Sequence, residues 1–169
     1  MNRVGTGYDV HRLVENRPLV LGGVTIDYHL GLEGHSDADV LVHALIDALL
    51  GAAGLRDIGF YFPPGDSRYQ NINSLELLTV VIAKLEENRW CLVNADTVII
   101  AEAPKLSAYI EEMRDKLAKV LGVTKGRVAV KATTTEGLGF CGRGEGIAAQ
   151  AVVLLEKSPH PCHLMEAGS

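Results

Sequence analysis

The stretch GLGFCGRGEGIAAQAVVLLE, residues 137–156, decides the fold class. Gly137, Gly139 and Gly142 spell G-x-G-x-x-G after a strand-like run, and Glu156 stands about where a ribose-binding acid would be sought. A dinucleotide unit needs a helix behind those glycines to receive the phosphates at its N-terminus. GEGIAAQAVVLLE (144–156) offers only a strand's length before the pattern ends, so a Rossmann site is excluded. The glycines remain as backbone amides able to approach an anion.

Working back from that strand, RVAVKATTT (127–135) and CLVNADTVIIA (91–101) read as strands, and PKLSAYIEEMRDKLAKVLG (104–122) as an amphipathic helix stopped by Gly122. A helix is expected from Asn73 or Ser74 to about Glu87. Another lies in SDADVLVHALIDALLGAAG (36–54), with a capping-box pattern of Ser36 and Asp39 at its start and Gly54 at its end. PLVLGGVTIDY (18–28) resembles two short strands about Gly22-Gly23, and Val4 to His11 alternates as a strand. Strands, two helices, a strand, a helix and two strands predict an α+β fold, a mixed β-sheet with helices packed on one face. One domain is expected over residues 1–157, followed by a flexible tail, 158–169, whose His160, Cys162 and His163 read as a mobile end and not a metal site.

Composition narrows the partners. With 169 residues, 47% of them apolar, the chain can bury one core. Sixteen basic against twenty-one acidic residues give a net charge of −5, with no basic cluster to track a phosphate backbone, so nucleic acid is not expected. Neither a signal-length apolar stretch nor a membrane span is present in the pattern, which predicts a soluble cytoplasmic protein. Cys91, Cys141 and Cys162 are odd in number, widely spaced and without CxxC, which predicts free thiols in a reducing compartment and no ligand or nucleophile among them.

The residues that carry chemistry begin with GYDVH, 7–11. Side chains at i and i+2 of a strand share a face, so Asp9 and His11 project together, as a satisfied polar pair or as part of a metal or acid–base site. In the greasy segment from Asp39 to Leu50 only Asp39, His43 and Asp47 are polar, and their four-residue spacing makes one stripe, facing water or a site. Asp9, His11 and His43 would form the O, N, N set of a catalytic zinc centre with an open fourth position, with Asp47 able to orient His43; a satisfied core histidine is the alternative. ATTTEGLGF (132–140) sets hydroxyls beside Glu136, either a half-exposed edge or a hard-cation and phosphate site.

GTGYDVH (5–11), EGHSDADVLVHALIDALLGAAGLRDIG (33–59), IIAEAPKL (99–106) and VKATTTEGLGFCGRGEGIA (130–148) resemble, in order and in register, the 2-C-methyl-D-erythritol 2,4-cyclodiphosphate synthases. The resemblance runs from about Arg3 to Leu155. It implies a homotrimer with active sites between subunits, converting 4-diphosphocytidyl-2-C-methyl-D-erythritol 2-phosphate to the cyclic diphosphate and CMP in the non-mevalonate isoprenoid pathway. It further implies zinc on Asp9, His11 and His43, with magnesium or manganese on Glu136. Asp9 to His11, with Val10 between them, and His35 and Ser36 would meet the substrate. Asp57, Ile58 and Gly59, with Phe62, Pro63, Pro64, Gly65 and Asp66, would hold the methylerythritol part. Ala101, Glu102, Ala103, Pro104, Lys105, Leu106 and Ser107 would shape the cytidine pocket with Ala132, Thr133, Thr134, Thr135 and Glu136.

His35 and Thr134 would stabilise the transition state, while Phe140 and Arg143 would lie near the substrate and the trimer axis, where an isoprenoid diphosphate is a possible ligand. Ala38 stands where the family often has glycine, Pro64 where aspartate is frequent and Cys141 at a common threonine position. The chemistry needs cations because a phosphate must attack an anionic diphosphate. A zinc-dependent phosphohydrolase and a non-catalytic nucleotide-binding trimer would use the same residues, and the products of turnover separate the three.

Overall fold

A strand carrying glycine at alternate positions lets a helix backbone lie directly on it, and β1 (Asn2–Val14) is such a strand. Gly5, Gly7, Asp9 and His11 share its inner face, while Val4, Thr6, Tyr8 and Val10 share the exposed one. A computed structural model describes residues 1–160 and Cys162. After β1 come β2 (Leu19–Leu21), β3 (Val24–Ile26), β4 (Gly31–Leu32), α1 (Val40–Ala53), α2 (Ile58–Tyr61), α3 (Ser74–Glu87) and β5 (Trp90–Ile100). The chain continues through α4 (Ile110–Leu121), β6 (Val128–Thr133), α5 (Gly139–Gly142) and β7 (Gly146–Lys157).

Five strands form one sheet in the order β4-β1-β7-β5-β6. Only β5 and β6 run parallel, so the sheet is mixed, as expected. β2 and β3 form a separate hairpin whose turn residues, Gly22 and Gly23, have φ of 58° and 73°, which glycine adopts without cost. Helix α1 packs on β1 and β7, α3 packs on α1, and α4 packs on β6 and α3. Val40, Leu41, Leu45, Ile46, Leu49 and Leu50 of α1 are fully buried at the centre of the core. No helix among the described residues is long and apolar enough to cross a membrane.

The pairing of α1 with β1 follows from two repeats. Two strand residues advance about 6.7 Å and four helix residues about 6 Å, so the elements stay in step over several contacts. A Cβ on Gly5 would be driven into the carbonyl oxygen of Ala48, and one on Gly7 into that of Ala44. The next inward residue, Asp9, then meets the first turn of α1, where His43 lies. Gly7→Ala is accordingly expected to destabilise the protein by about 3 kcal/mol, because backbone cannot move aside as a side-chain end can. Gly126→Ala, with open space around its Cβ, is the control and should stay within about 0.5 kcal/mol of wild type. Urea unfolding curves measure both; a Gly7→Ala midpoint matching the control would contradict the close approach.

Three expectations need correction. Helix α1 is capped by Asp39, which accepts from Val42 N at 3.1 Å, and not by a Ser36–Asp39 box. Ala38, with φ of 57°, breaks the helical path just before it. The helix expected over 104–122 begins only at Ile110. Leu106 is buried in a turn whose carbonyl accepts from Tyr109 N at 2.9 Å, so it satisfies the apolar period without being helical. The glycine-rich connection contains the four-residue α5, and Gly142 packs against the backbone of Gly137 where a Cβ has no room. Finally, Cys91 and Cys162 form a disulfide across 71 residues, contrary to the expectation of free thiols, while Cys141 is free and buried. Spacing along the chain could not reveal that pair, because the sheet brings Cys91 of β5 beside the chain leaving β7. Of the tail, Ser158 is buried and its N–H donates to Arg89 O at 3.0 Å, whereas His163 and residues 164–169 lie outside the described residues.

Candidate metal centre and substrate cleft

Asp9 and His11 reach the site from the end of β1, and His43 from the first turn of α1. Asp9 Oδ2 lies 3.0 Å from His11 Nε2 and 3.2 Å from His43 Nδ1, and the two ring nitrogens are 3.1 Å apart. A tetrahedral centre with bonds of about 2.0 Å separates its ligand atoms by about 3.3 Å. The three atoms therefore already stand near the edges of such a tetrahedron, with the fourth corner open.

The ring orientations agree with that role. His11 Nδ1 is 2.7 Å from the carbonyl oxygen of Glu33, to which it donates, leaving the Nε2 lone pair for the triangle. His43 Nε2 lies 3.0 Å from Ser74 Oγ and 3.1 Å from Ser36 Oγ, which leaves Nδ1 to the triangle and able to offer a lone pair to a cation there. Burial works against the charge on Asp9, yet the two imidazoles beside it outweigh burial and hold the carboxyl far below the usual carboxylate range. Burial also works against a proton on His11, and the bond to Asp9 outweighs it, leaving that imidazole above its ordinary value. A half-buried carboxylate between two imidazoles is a ready cation site.

The other two members of the α1 polar stripe do different work. Asp39 is fully buried and accepts from Gly22 N at 2.9 Å, Gly23 N at 2.7 Å and Val42 N, tying the β2–β3 hairpin to the start of α1. Burial, then the nearby charge of Asp37, pushes its carboxyl up to about 6. Asp47 accepts from Ile58 N at 2.8 Å and so fastens α2, the segment beside the cleft. The expectation that Asp47 orients His43 is corrected: Ser74 and Ser36 bond the imidazole instead, because four residues along α1 carry Asp47 past the ring to the start of α2. Sequence reasoning missed Ser74, which looked only like the first residue of a helix.

The triangle opens on a cavity of about 320 Å³ lined by Asp9, His11, His35, Ser36, His43, Ile58, Gly59, Phe62 and Pro64. Tyr69 and Leu77 complete it and were not foreseen. His35 Nε2 donates to Asp66 O at 2.8 Å, joining the loop before α1 to the segment after α2. Val10 faces the other side of β1 and is exposed. Asp57 caps α2 by accepting from Phe60 N at 3.0 Å.

A second cavity, of about 300 Å³, is lined by Ala101, Glu102, Pro104, Lys105, Leu106, Ser107, Ala132, Thr133 and Thr134. Glu102 carboxylate oxygens accept from Thr135 N at 3.3 Å and Gly137 N at 3.2 Å, and Thr134 Oγ1 donates to Glu136 Oε1 at 3.2 Å. Glu136 has φ of 55°, and its carboxylate is exposed. Phe140 is partly exposed on α5, and Arg143 bonds Glu145 through Nε at 2.8 Å. The two cavities share no lining residue. Val10 pairs with Ala148, Ala148 with Ile100 and Ile100 with Thr133, three strand spacings or about 14 Å across the sheet.

Fold and site together define an α+β protein in which Asp9, His11 and His43 form a triangle that could hold a metal ion. The model of the YgbB family matches residues 2–156, and the chain belongs to that family. It is 63% identical over 153 residues to the 2-C-methyl-D-erythritol 2,4-cyclodiphosphate synthase of Moorella thermoacetica, an alignment covering 90% of this chain and 94% of that one. The bifunctional IspDF of Campylobacter jejuni is similar over 94% of this chain, with a TM-score of 0.90 and 46% identity; this chain spans 43% of that longer one. IspF of Plasmodium falciparum, solved as a CDP complex, matches with a TM-score of 0.82 and 32% identity over 93% of this chain and 97% of its own.

Proposed function

We propose that this enzyme is a phosphorus–oxygen lyase that closes 4-diphosphocytidyl-2-C-methyl-D-erythritol 2-phosphate into 2-C-methyl-D-erythritol 2,4-cyclodiphosphate and releases CMP. The observation that carries this reading is the Asp9, His11, His43 triangle, with both imidazoles bonded so that their lone pairs converge beside a cleft. Zinc there, with magnesium or manganese at Glu136, would supply the positive charge that lets one phosphate approach another. The chain's own residues do the rest. Ile58, Gly59, Phe62 and Pro64 give the methylerythritol part a largely apolar wall, which excludes water from the reacting phosphates. His35, anchored through Nε2–H on Asp66 O, and Ser36, lining the same cleft, would flank the phosphate oxygens, with the Ser36 hydroxyl able to donate to them. The second cavity, with backbone on both sides from Ala101 to Ser107 and from Ala132 to Thr134, suits a cytidine, and Thr134 would meet the phosphates.

Holding both ends of the substrate converts the reaction into an intramolecular attack, and no protein nucleophile is needed because the 2-phosphate is ionised at neutral pH. The separate cavities and the 14 Å or so between the ends of β1 and β6 support a homotrimer in which one subunit supplies the zinc triangle and its neighbour the nucleotide side. Val4 (69% exposed) and Tyr8 (57%), with Val10 and Val152, form an apolar face on the open side of the sheet that assembly would cover. Phosphorus NMR of the products tests the reaction: a cyclic diphosphate with CMP is expected, and a linear bisphosphate with CMP would show a hydrolase instead. Glu136→Gln should retain zinc and lose magnesium-dependent turnover by about 100-fold; wild-type rates at low magnesium would remove Glu136 from the metal site.

A further inference from the structure

We infer that Ser74, its hydroxyl committed by Asp37, is the positioning residue that makes His43 a metal ligand through Nδ1. For Nδ1 to offer a lone pair in a neutral ring, Nε2 must carry the proton. Two hydroxyls face Nε2, those of Ser74 at 3.0 Å and Ser36 at 3.1 Å. A hydroxyl can donate as well as accept, so neither alone decides the tautomer. Asp37 decides it for Ser74. Its Oδ1 accepts a hydrogen bond from the Ser74 hydroxyl, and its Oδ2 accepts from Ser74 N at 2.9 Å. A carboxylate only accepts, so Ser74 Oγ has only lone pairs left to turn toward His43.

The relay is itself held in place. Asp37 N donates to Ile72 O at 3.0 Å, and Asp39 N donates back to Asp37 Oδ1 at 3.2 Å. Ser74 is fully buried, so water cannot replace its hydroxyl. Ser36 differs. Its Oγ accepts from Ala38 N at 3.1 Å, and it lines the cleft, so its hydroxyl proton stays free for a phosphate oxygen. With Ser36 engaged by substrate, Ser74 is the partner that keeps Nε2 protonated. The order Asp37, Ser74, His43, metal makes this a carboxylate relay one hydroxyl longer than the direct carboxylate–histidine–metal arrangement.

This inference rests on the metal-centre reading, and its test uses no substrate, so a failure of the proposed reaction leaves it readable. Zinc affinity of the full-length protein is measured by competition with a chelator, and the His43 Nε2–H by imidazole nitrogen NMR of the zinc-loaded protein. The wild type should show an Nε2 proton protected from exchange with solvent. Ser74→Ala should weaken zinc binding by about 10- to 100-fold and open the Nε2 proton to exchange, while Ser74→Thr, which retains the hydroxyl, should bind within about threefold of wild type. Alanine suits the first turn of α3, whose cap is Asn73, so a merely structural role would leave both readouts unmoved. A freely exchanging Nε2 proton in the wild type, or Ser74→Ala binding zinc within about twofold of wild type, overturns the inference. Should Ser74→Ala fail to fold, the protection of the wild-type Nε2 proton decides alone.

Discussion

His43→Ala is expected to lose nearly all bound zinc and about 10³-fold in turnover, roughly 4 kcal/mol of transition-state stabilisation, while the chain remains folded. The size follows from geometry. His43 Nδ1 is one corner of a triangle whose other corners lie 3.1 and 3.2 Å away, and two ligands alone cannot hold the ion against water. The fold should persist because α1 is fixed by other faces, through Leu41, Leu45, Leu49 and Leu50, and by its packing on Gly5 and Gly7. Atomic absorption gives the zinc content and circular dichroism the fold. Full zinc occupancy in the folded variant would remove His43 from the ligand set.

The second large effect is a gain. His43→Ala and Glu136→Gln are each expected to be nearly inactive, yet unfolding and refolding them together at equal concentrations should restore about a quarter of wild-type activity. A site built across a boundary needs an intact His43 from one subunit and an intact Glu136 from the next, and random mixing supplies each with even odds. One chain keeps the two groups on opposite sides of β7 and β5, with no cavity wall in common. If co-refolded mixtures that size as trimers stay as inactive as either parent, each site lies within a single chain.

Much of this was legible along the chain because it depends on local spacing. The two-residue period of β1 placed Asp9 and His11 on one face, and the same period explains why Gly5 and Gly7 lie inward with them. The missing helix after Gly142 excluded a dinucleotide fold, and β7 occupies the stretch that the glycine pattern would have needed as helix. The four motifs from Gly5 to Ala148 pointed to the family to which the chain belongs. Where periodicity misled, as over 104–122, a buried Leu106 in a turn kept the helical rhythm without the helical backbone.

Contacts between segments distant along the chain had to await the fold. Ser74 meets His43 across 31 residues, Asp37 meets Ser74 across 37, and Cys91 meets Cys162 across 71. Nothing in the neighbours of these residues marks them, because each partner is chosen by how α1, α3 and the sheet stack. The stripe of Asp39, His43 and Asp47 shows the division: its four-residue spacing put all three on one helix face. Only packing assigned the first to the β2–β3 turn, the second to the triangle with Asp9 and His11 and the third to α2, since a helix face is local and what lies against it is not.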